Sequence, residues 1–241
     1  MTTEEKHKIA HFLVLAGDFL GSGYRSEQKE YNFIDSDEGS NIINESKQIE
    51  GIHKVEGDSI DTITEEIRLC KACPLHTNRK NTVPGEGVKS PLVMVIGEGP
   101  GEKEDLQGRP FVGNAGQLLD KMLASIGLSR ETNAFIANTV KCRPPFNRDP
   151  AAEETSACRS FLERQILLLK PSFILIAGKV AAQSLLNTTE PIGKLRGKIG
   201  ELKVSDKSFP VLCTYHPSAL LHNEELKRPV WEDLKLLKSK I

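Results

Sequence analysis

Short apolar runs recur through the central and C-terminal parts of the chain. They are rich in β-branched and aromatic residues and occupy residues 92–96, 134–140, 173–177 and 211–215. Runs of this kind are typical of strands that are buried on both faces of a sheet. The pattern therefore predicts four buried strands.

Between these runs, apolar residues recur at helical spacing. This spacing predicts helices at residues 116–125, 151–169, 178–186 and, after the last strand, 230–240. Alternating strands and helices predict an α/β fold whose parallel sheet is covered on both faces. Because ligands bind beyond the carboxyl ends of such strands, the polar segments that follow them should converge on one cleft.

The first sixty residues have a different pattern. Residues 3–19 predict one amphipathic helix, and residues 21–57 are polar with few apolar anchors, which is typical of a tether. Apolar residues at helical spacing resume at Ile60 and lead into Cys70. We therefore expect an N-terminal extension at residues 1–59 and a compact domain at residues 60–241.

Composition and charge narrow the function only slightly. The chain has 241 residues, of which 38% are hydrophobic and 27% charged, as in ordinary globular proteins. Residues 1–60 hold 6 Lys+Arg against 12 Asp+Glu, and residues 61–241 hold 26 against 21. The extension is therefore acidic and the body mildly basic, which allows a polyanion as partner without requiring one. The apolar stretch 9–20 is too short to span a bilayer, so we expect a cytoplasmic protein without membrane contact.

A glycine-rich segment, GEGPGEKEDLQGRPFVGNAG, occupies residues 97–116 between the first predicted strand and the helix that follows. Its glycines let the backbone lie close against a flat ligand or a phosphate. A dinucleotide-binding loop is disfavoured, because the G-x-G-x-x-G pattern would need glycine at Glu102 and because Pro100 removes an amide donor. The segment predicts a pocket built largely from main chain.

Four of the five cysteines have the spacing of metal ligands. Cys70 and Cys73 form a C-x2-C pair. Cys142 follows the second predicted strand, and Cys158 lies in the next predicted helix. Four thiolates suit either tetrahedral zinc or a cubane iron–sulfur cluster, and the spacing leaves both open. An alternative is that Cys142 and Cys158 are unrelated core residues, as we expect for Cys213 in the last strand.

These motifs together resemble the family 4, iron–sulfur uracil-DNA glycosylases. The resemblance rests on residues 97–116, on NTVKCRPPFNRDP at 138–150, on YHPSALL at 215–221 and on the four cysteines. It extends from about Ile60 to the end. It implies a three-layer α/β/α sandwich with a central four-stranded parallel sheet, and excision of uracil from DNA during base excision repair. It also implies a [4Fe-4S] cluster held by Cys70, Cys73, Cys142 and Cys158.

The resemblance implies a role for each residue of the pocket. Phe111 matches the aromatic residue that stacks on uracil, Asn138 the residue that reads its edge, and His216 the catalytic histidine. Gly97, Glu98 and Gly99 belong to the loop that encloses the base. Two roles stay open for Glu98: it positions the attacking water, or it helps Gly99 to exclude the methyl group of thymine.

The resemblance also predicts a DNA-binding surface. Leu220 and Leu221, after Ser218, match an apolar wedge that enters the minor groove, while His222 departs from the arginine that the family often has there. Phosphate contacts are expected from Arg143, Asn147, Arg148, Lys194, Arg196 and Lys198. We expect a monomer that binds uracil-containing DNA. Binding of a protein partner is one of the roles that stay open for the N-terminal extension.

Two other functions stay in view. A non-catalytic nucleic-acid binder would use the same cleft without turnover. A covalent uracil-DNA trapping protein of the same superfamily would need an inserted histidine after the second strand, and residues 138–150 contain none.

Overall fold

The computed structural model describes residues 58–241. The predicted helix at 3–19 and the tether at 21–57 lie outside the described residues. Helix α1, Ile60–Leu69, begins where helical spacing resumes, and Ser59 caps it by accepting a hydrogen bond from the Thr62 amide. Its buried residues, Ile63 and Ile67, anchor it on the body of the domain.

Within residues 58–241 the sheet has six strands, two more than the sequence predicts. The strands are β1 (Glu86–Gly87), β2 (Val93–Gly97), β3 (Ala134–Asn138), β4 (Phe173–Ala177), β5 (Ile199–Val204) and β6 (Lys207–Thr214). Their order is β1-β3-β2-β4-β6-β5. Strands β3, β2, β4 and β6 are parallel neighbours, whereas β1 and β5 pair antiparallel at the two edges. The sheet is therefore mixed, with four parallel strands at its centre and an antiparallel strand at each edge.

Helices follow the strands as the α/β prediction requires. After α1 they are α2 (Glu102–Gln107), α3 (Asn114–Ala124), α4 (Ala152–Leu169), α5 (Lys179–Leu186), α6 (Ile192–Leu195), α7 (Pro217–His222) and α8 (Lys227–Lys238). The four predicted helices of the body correspond to α3, α4, α5 and α8. Three short helices, α2, α6 and α7, lie in segments that the sequence leaves without a helix. Within residues 58–241, no helix is long and apolar enough to cross a membrane.

Alternate residues of the parallel strands enter two separate hydrophobic clusters. Met94 and Ile96 of β2 pack in the cluster that includes α4 and α5, while Val93 and Val95 pack in the cluster that includes α3 and α8. Successive side chains of a strand point to opposite faces of the sheet. Helices therefore cover both faces, which makes three layers.

The carboxyl ends of the parallel strands meet at one edge of the sheet. Gly97 and Asn138, the last residues of β2 and β3, lie opposite each other, as do Ala177 and Thr214 of β4 and β6. The loops that follow these strands carry the candidate site, as expected for an α/β sheet.

Candidate active site

A pocket of about 240 Å³ lies at this edge of the sheet, and we call it the edge pocket. It is lined by Gly99, Gly101, Glu104, Phe111, Ala115, Asn138, Asn147, His216 and Ser218. The structure thus brings together residues from the glycine-rich loop, the end of β3, the loop after it and the start of α7.

Asn138 supplies a buried hydrogen-bond acceptor to the edge pocket. The residue is 1% exposed, and among the described residues its Oδ1 atom has no hydrogen-bond partner. An unsatisfied buried acceptor costs about 1–3 kcal/mol, so it is rare unless a ligand completes it. A ligand with an N–H group would remove this penalty.

His216 caps α7, and its hydrogen bonds define which ring nitrogen carries the proton. Nδ1 accepts from the Ser218 amide at 3.2 Å and lies 2.7 Å from the Ser218 hydroxyl oxygen. A neutral imidazole that accepts through Nδ1 carries its proton on Nε2. Burial lowers the pKa of His216 to about 4, against a smaller opposing effect of Glu104. The ring is therefore neutral at pH 7 and can donate through Nε2.

Phe111 provides the aromatic wall of the edge pocket. Its ring centroid lies 5.5 Å from that of His216, with the ring planes inclined by 34°. Its backbone is left-handed, with φ of +52°, which is unfavourable for a bulky residue. The buried Arg130 guanidinium holds this backbone by donating to Pro110 O at 2.9 Å and Phe111 O at 3.0 Å. Nothing in the local sequence around Arg130 predicts this role.

Glu104 also lines the edge pocket, and its side chain caps the adjoining loop. One carboxylate oxygen accepts from the amides of Val112 and Gly113, both at 2.8 Å. These bonds tie α2 to the segment that enters α3, which helps to hold the glycine-rich loop in place.

Gly97 lies behind the edge pocket and leaves no room for a side chain. A Cβ atom there would lie 2.5 Å from Phe111 Cζ and 2.6 Å from Asn138 Oδ1. Both neighbours are buried. Glycine at this position therefore allows Phe111 and Asn138 to approach each other.

We expect Gly97→Ala to displace Phe111 and Asn138 and to lower the free energy of unfolding by about 1–3 kcal/mol, which is the usual cost of overpacking. Denaturant unfolding of the variant measures the change. Gly200→Ala is the matched control, because its Cβ would meet Val211 at an ordinary 3.4 Å. Equal free energies of unfolding for Gly97→Ala and the native protein would contradict the crowding argument.

Glu98 is not among the residues that line the edge pocket. Its backbone oxygen accepts from the Thr139 hydroxyl and the Val140 amide, which anchors the loop to the end of β3. Burial raises the pKa of its carboxyl group to about 7, and the negative charge of Asp149 adds to the rise while Lys179 opposes it. The group therefore titrates near neutral pH.

The predicted wedge is only half exposed. Leu220 is 2% exposed and packs in the cluster that contains α3 and α8, whereas Leu221 is 48% exposed. The assignment of Leu220 to DNA contact is corrected, because one face of α7 must pack on the core. Ser218 lines the edge pocket.

Several of the predicted phosphate contacts have intramolecular partners. Arg148 binds both carboxylate oxygens of Glu154, at 2.8 and 2.6 Å, and Arg143 donates to Asn147 Oδ1 at 2.7 Å. Arg196 is bound to the buried Asp233 through two nitrogens and is only 19% exposed. Arg196 is therefore a structural residue. The Arg148 side chain is 46% exposed despite its pairing with Glu154.

Three of the predicted ligand cysteines pack together. Cys73, Cys142 and Cys158 form one cluster with Leu75 and Val140. Burial raises the pKa of the Cys142 thiol, against a hydrogen bond from Arg79, and the Cys73 and Cys70 thiols add to the rise. Cys213, by contrast, is buried in β6 among the residues that face α4 and α5.

The group of cysteines is not arranged around one point. Within residues 58–241, no three His, Cys, Asp or Glu side chains are grouped so that they would hold a single metal ion. Each thiolate of a [4Fe-4S] cluster binds a different iron, so its ligands do not converge as those of one ion do.

A buried lysine beside these cysteines indicates a negative group. Lys141 is 1% exposed, and its Nζ donates to two uncharged oxygens, Asn138 O and Gln165 Oε1. Burial lowers its pKa to about 8, while Cys158 has the opposite effect. A buried cation is costly unless a negative charge lies nearby, and a thiolate-ligated cluster would supply one. The donor set and its surroundings therefore fit an iron–sulfur cluster.

Comparison with known proteins identifies the family. The family model described as "Uracil DNA glycosylase superfamily" matches residues 84–235, which include the edge pocket and all four strands of the parallel core. The chain belongs to this superfamily.

Type-4 uracil-DNA glycosylases match the chain over nearly their whole length. That of Archaeoglobus fulgidus is 42% identical over 182 residues, which are 74% of this chain and 91% of the relative. That of Saccharolobus solfataricus is 44% identical over 186 residues, 75% and 86% respectively. That of Thermotoga maritima is 44% identical over 183 residues, 75% and 93%. The resemblance found in the sequence motifs is confirmed.

Proposed function

We propose that this protein is a uracil-DNA glycosylase that hydrolyses the N-glycosidic bond of deoxyuridine in DNA. Family membership and the names of its relatives support this activity. The observation in the structure that carries the proposal is the buried Asn138 Oδ1 atom, which lacks a partner among the described residues and lies in the same pocket as Phe111 and His216. Removal of uracil would place the protein in DNA repair and leave an abasic site.

Asn138 distinguishes uracil from cytosine by its two polar atoms. Its Oδ1 accepts from N3–H of uracil, and its Nδ2 donates to O4. Cytosine offers an acceptor and a donor at these positions, so both amide atoms would face the wrong partner. Because unpaired buried polar groups are costly, cytosine is rejected.

His216 stabilises the departing base. As the glycosidic bond breaks, negative charge develops on uracil O2 while the sugar becomes cation-like. The neutral imidazole donates from Nε2 to O2, and its position is fixed beforehand by the Ser218 amide. A preorganised donor in a buried site favours the transition state over the ground state. No covalent intermediate is needed.

Phe111 and Glu98 complete the reaction. The ring of Phe111 stacks on the extruded base, which offsets part of the free energy of flipping. Glu98, with its pKa near 7, orients the water that attacks the sugar. Its place outside the pocket lining favours this role over exclusion of the thymine methyl group, which we assign to Gly99 and the backbone around it.

We further propose that Cys70, Cys73, Cys142 and Cys158 hold a [4Fe-4S] cluster. The cluster would act structurally, by joining the end of α1, the loop after β3 and helix α4. Iron and zinc analysis of freshly purified protein tests this ligand set. Cys213→Ser is the control, because Cys213 lies outside the set.

The glycosylase domain then corresponds to residues 60–241, with the acidic extension at residues 1–59 as a separate segment. A monomer in the cytoplasm that binds uracil-containing DNA stays our prediction.

The activity is tested with oligonucleotides that contain one uracil or one thymine. After incubation and alkali treatment, we expect cleavage of the uracil strand alone. An uncut uracil strand, with protein of full iron content, would contradict the proposal. Tight binding without cleavage would instead indicate a non-catalytic binder.

The pH dependence of turnover tests the role of Glu98. Because its carboxylate holds the water, we expect the single-turnover rate to rise as the pH increases through about 7. Glu98→Gln should lower the rate and abolish this rise. The same raised pKa has an opposite effect on folding, since stability from this group is lost as pH rises from the ordinary 4.5 to about 7. A rise that persists in Glu98→Gln would contradict the assignment.

A further inference from the structure

An aromatic side chain lies fully in solvent beside the edge pocket. Phe146, in the loop between β3 and α4, is 99% exposed. Its ring is a large apolar group, and because it is fully exposed it contributes none of the free energy that burial of its surface would give. The sequence singles out the segment 138–150, but the proposed reaction gives Phe146 no role.

The loop that carries Phe146 is held firmly. Asn147 N donates to Pro144 O at 3.0 Å and Arg148 N to Pro145 O at 3.2 Å. Arg143 Nε donates to the Asn147 side chain, and Arg148 is tied to Glu154 at the start of α4. The exposed ring therefore projects from a braced turn.

The backbone at this turn is unfavourable for the residues that occupy it. Phe146 and Asn147 both have left-handed backbones, with φ of +55° and +57°. Asparagine tolerates this conformation, whereas a bulky aromatic residue is strained in it. Strained residues at such positions are often functional.

Phe146 lies next in sequence to a residue of the edge pocket. Asn147, the next residue, lines the pocket, and Arg143 and Arg148 lie in the same loop. Of the two leucines of the predicted wedge, only Leu221 is exposed. An apolar ring in a loop that also carries two arginines suits a nucleic-acid strand, whose bases stack on aromatic residues while its phosphates bind arginine.

We propose that Phe146 stacks on the nucleobase next to the extruded uracil and so holds the DNA strand over the pocket. The inference rests on the proposed function for its substrate. Stacking of one base on an aromatic side chain changes affinity by about 10- to 100-fold. Phe146 is thus a positioning residue that acts on the strand and does not touch the uracil ring.

The test compares Phe146→Ala with the native protein on the same uracil-containing oligonucleotide. We expect affinity for the DNA and kcat/KM to fall about 10- to 100-fold. Inhibition by free uracil should be unchanged, because the edge pocket is intact. Leu69→Ala is the matched control, because Leu69 on α1 is another large apolar residue that is exposed (71%). This variant should behave as the native protein does.

A stability measurement separates function from folding. Glycine favours a left-handed backbone, so Phe146→Gly should unfold at the same temperature as the native protein or higher, and yet bind DNA more weakly. Unchanged DNA affinity in both variants would overturn the proposal. A loss of inhibition by free uracil that equals the loss of DNA affinity would also overturn it, because the ring would then shape the pocket instead.

A fluorescence measurement gives a result that does not depend on turnover. The chain has one tryptophan, so Phe146→Trp in a Trp231→Phe background places a single indole at the tip of the loop. We expect uracil-containing DNA to quench its emission, while free uracil does not. Emission that is unaffected by DNA would overturn the stacking role. If the native protein does not cleave uracil-containing DNA but the quenching occurs, the proposed catalytic function fails and the stacking inference stands.

Discussion

Uracil release is expected to slow by about 100- to 1,000-fold when His216 is replaced by alanine, the range found when one preorganised donor to a developing oxyanion is removed. The native imidazole is neutral, is buried, and presents Nε2–H because Nδ1 accepts from the Ser218 amide. Single-turnover rates on a uracil-containing oligonucleotide measure the loss. Because the donor acts mainly in the transition state, the rate should fall far more than the affinity for DNA.

His222→Ala is the matched control, because His222 is exposed and ends the same short helix. It should leave the chemical step unchanged. The pKa of His216 also predicts that stability falls as the pH is lowered from 6.5 to about 4, since the unfolded chain binds the proton more readily. His216→Ala should lack this fall. A native rate in His216→Ala would show that another group stabilises O2.

Selectivity for uracil over cytosine is expected to collapse when Asn138 is replaced by leucine. A site built around hydrogen bonds rejects a mismatched base by about 10⁴-fold, and leucine has nearly the size of asparagine without its polar atoms. We expect kcat/KM on uracil to fall about 1,000-fold or more, and selectivity to fall by roughly the same factor. Competing uracil- and cytosine-containing oligonucleotides measure both.

Binding of DNA that already contains an abasic site provides the control for Asn138→Leu. This product lacks the base, so its affinity should stay native if the variant has lost only contacts to uracil. Weaker binding of the abasic product would mean that the substitution disturbs the DNA surface. Preserved selectivity would mean that the uracil edge is read by backbone groups of the glycine-rich loop instead.

The buried part of the fold follows closely from the sequence. Each of the four predicted strands overlaps a strand of the parallel core, because a run that is apolar on both faces leaves few alternatives to a central strand. The carboxyl-end rule then places Asn138 and His216 at one edge, where the structure has them. The position of the pocket is predictable because it depends on the order of strands and loops along the chain.

Other features depend on contacts between distant parts of the chain. Strand β1 has two residues, and β5 buries only Leu202 and Val204, so neither gives a strong apolar signal. Arg130 reaches the carbonyl oxygen of Phe111 across 19 positions of sequence. The burial of Leu220 depends on which face α7 turns to the core, and six residues are too few to reveal that phase.

The pairing of β2 with β3 also affects how catalysis responds to heating or mutation. Asn138 lies opposite Gly97, and it follows Ile136 on the sheet face that packs against α3. A shift of β3 by one position would turn the amide toward the opposite helices and bring a neighbouring side chain to the cavity. Loss of turnover should therefore indicate that β2 and β3 have lost their alignment. Heating or a mutation that disturbs this alignment should abolish catalysis before helical content declines.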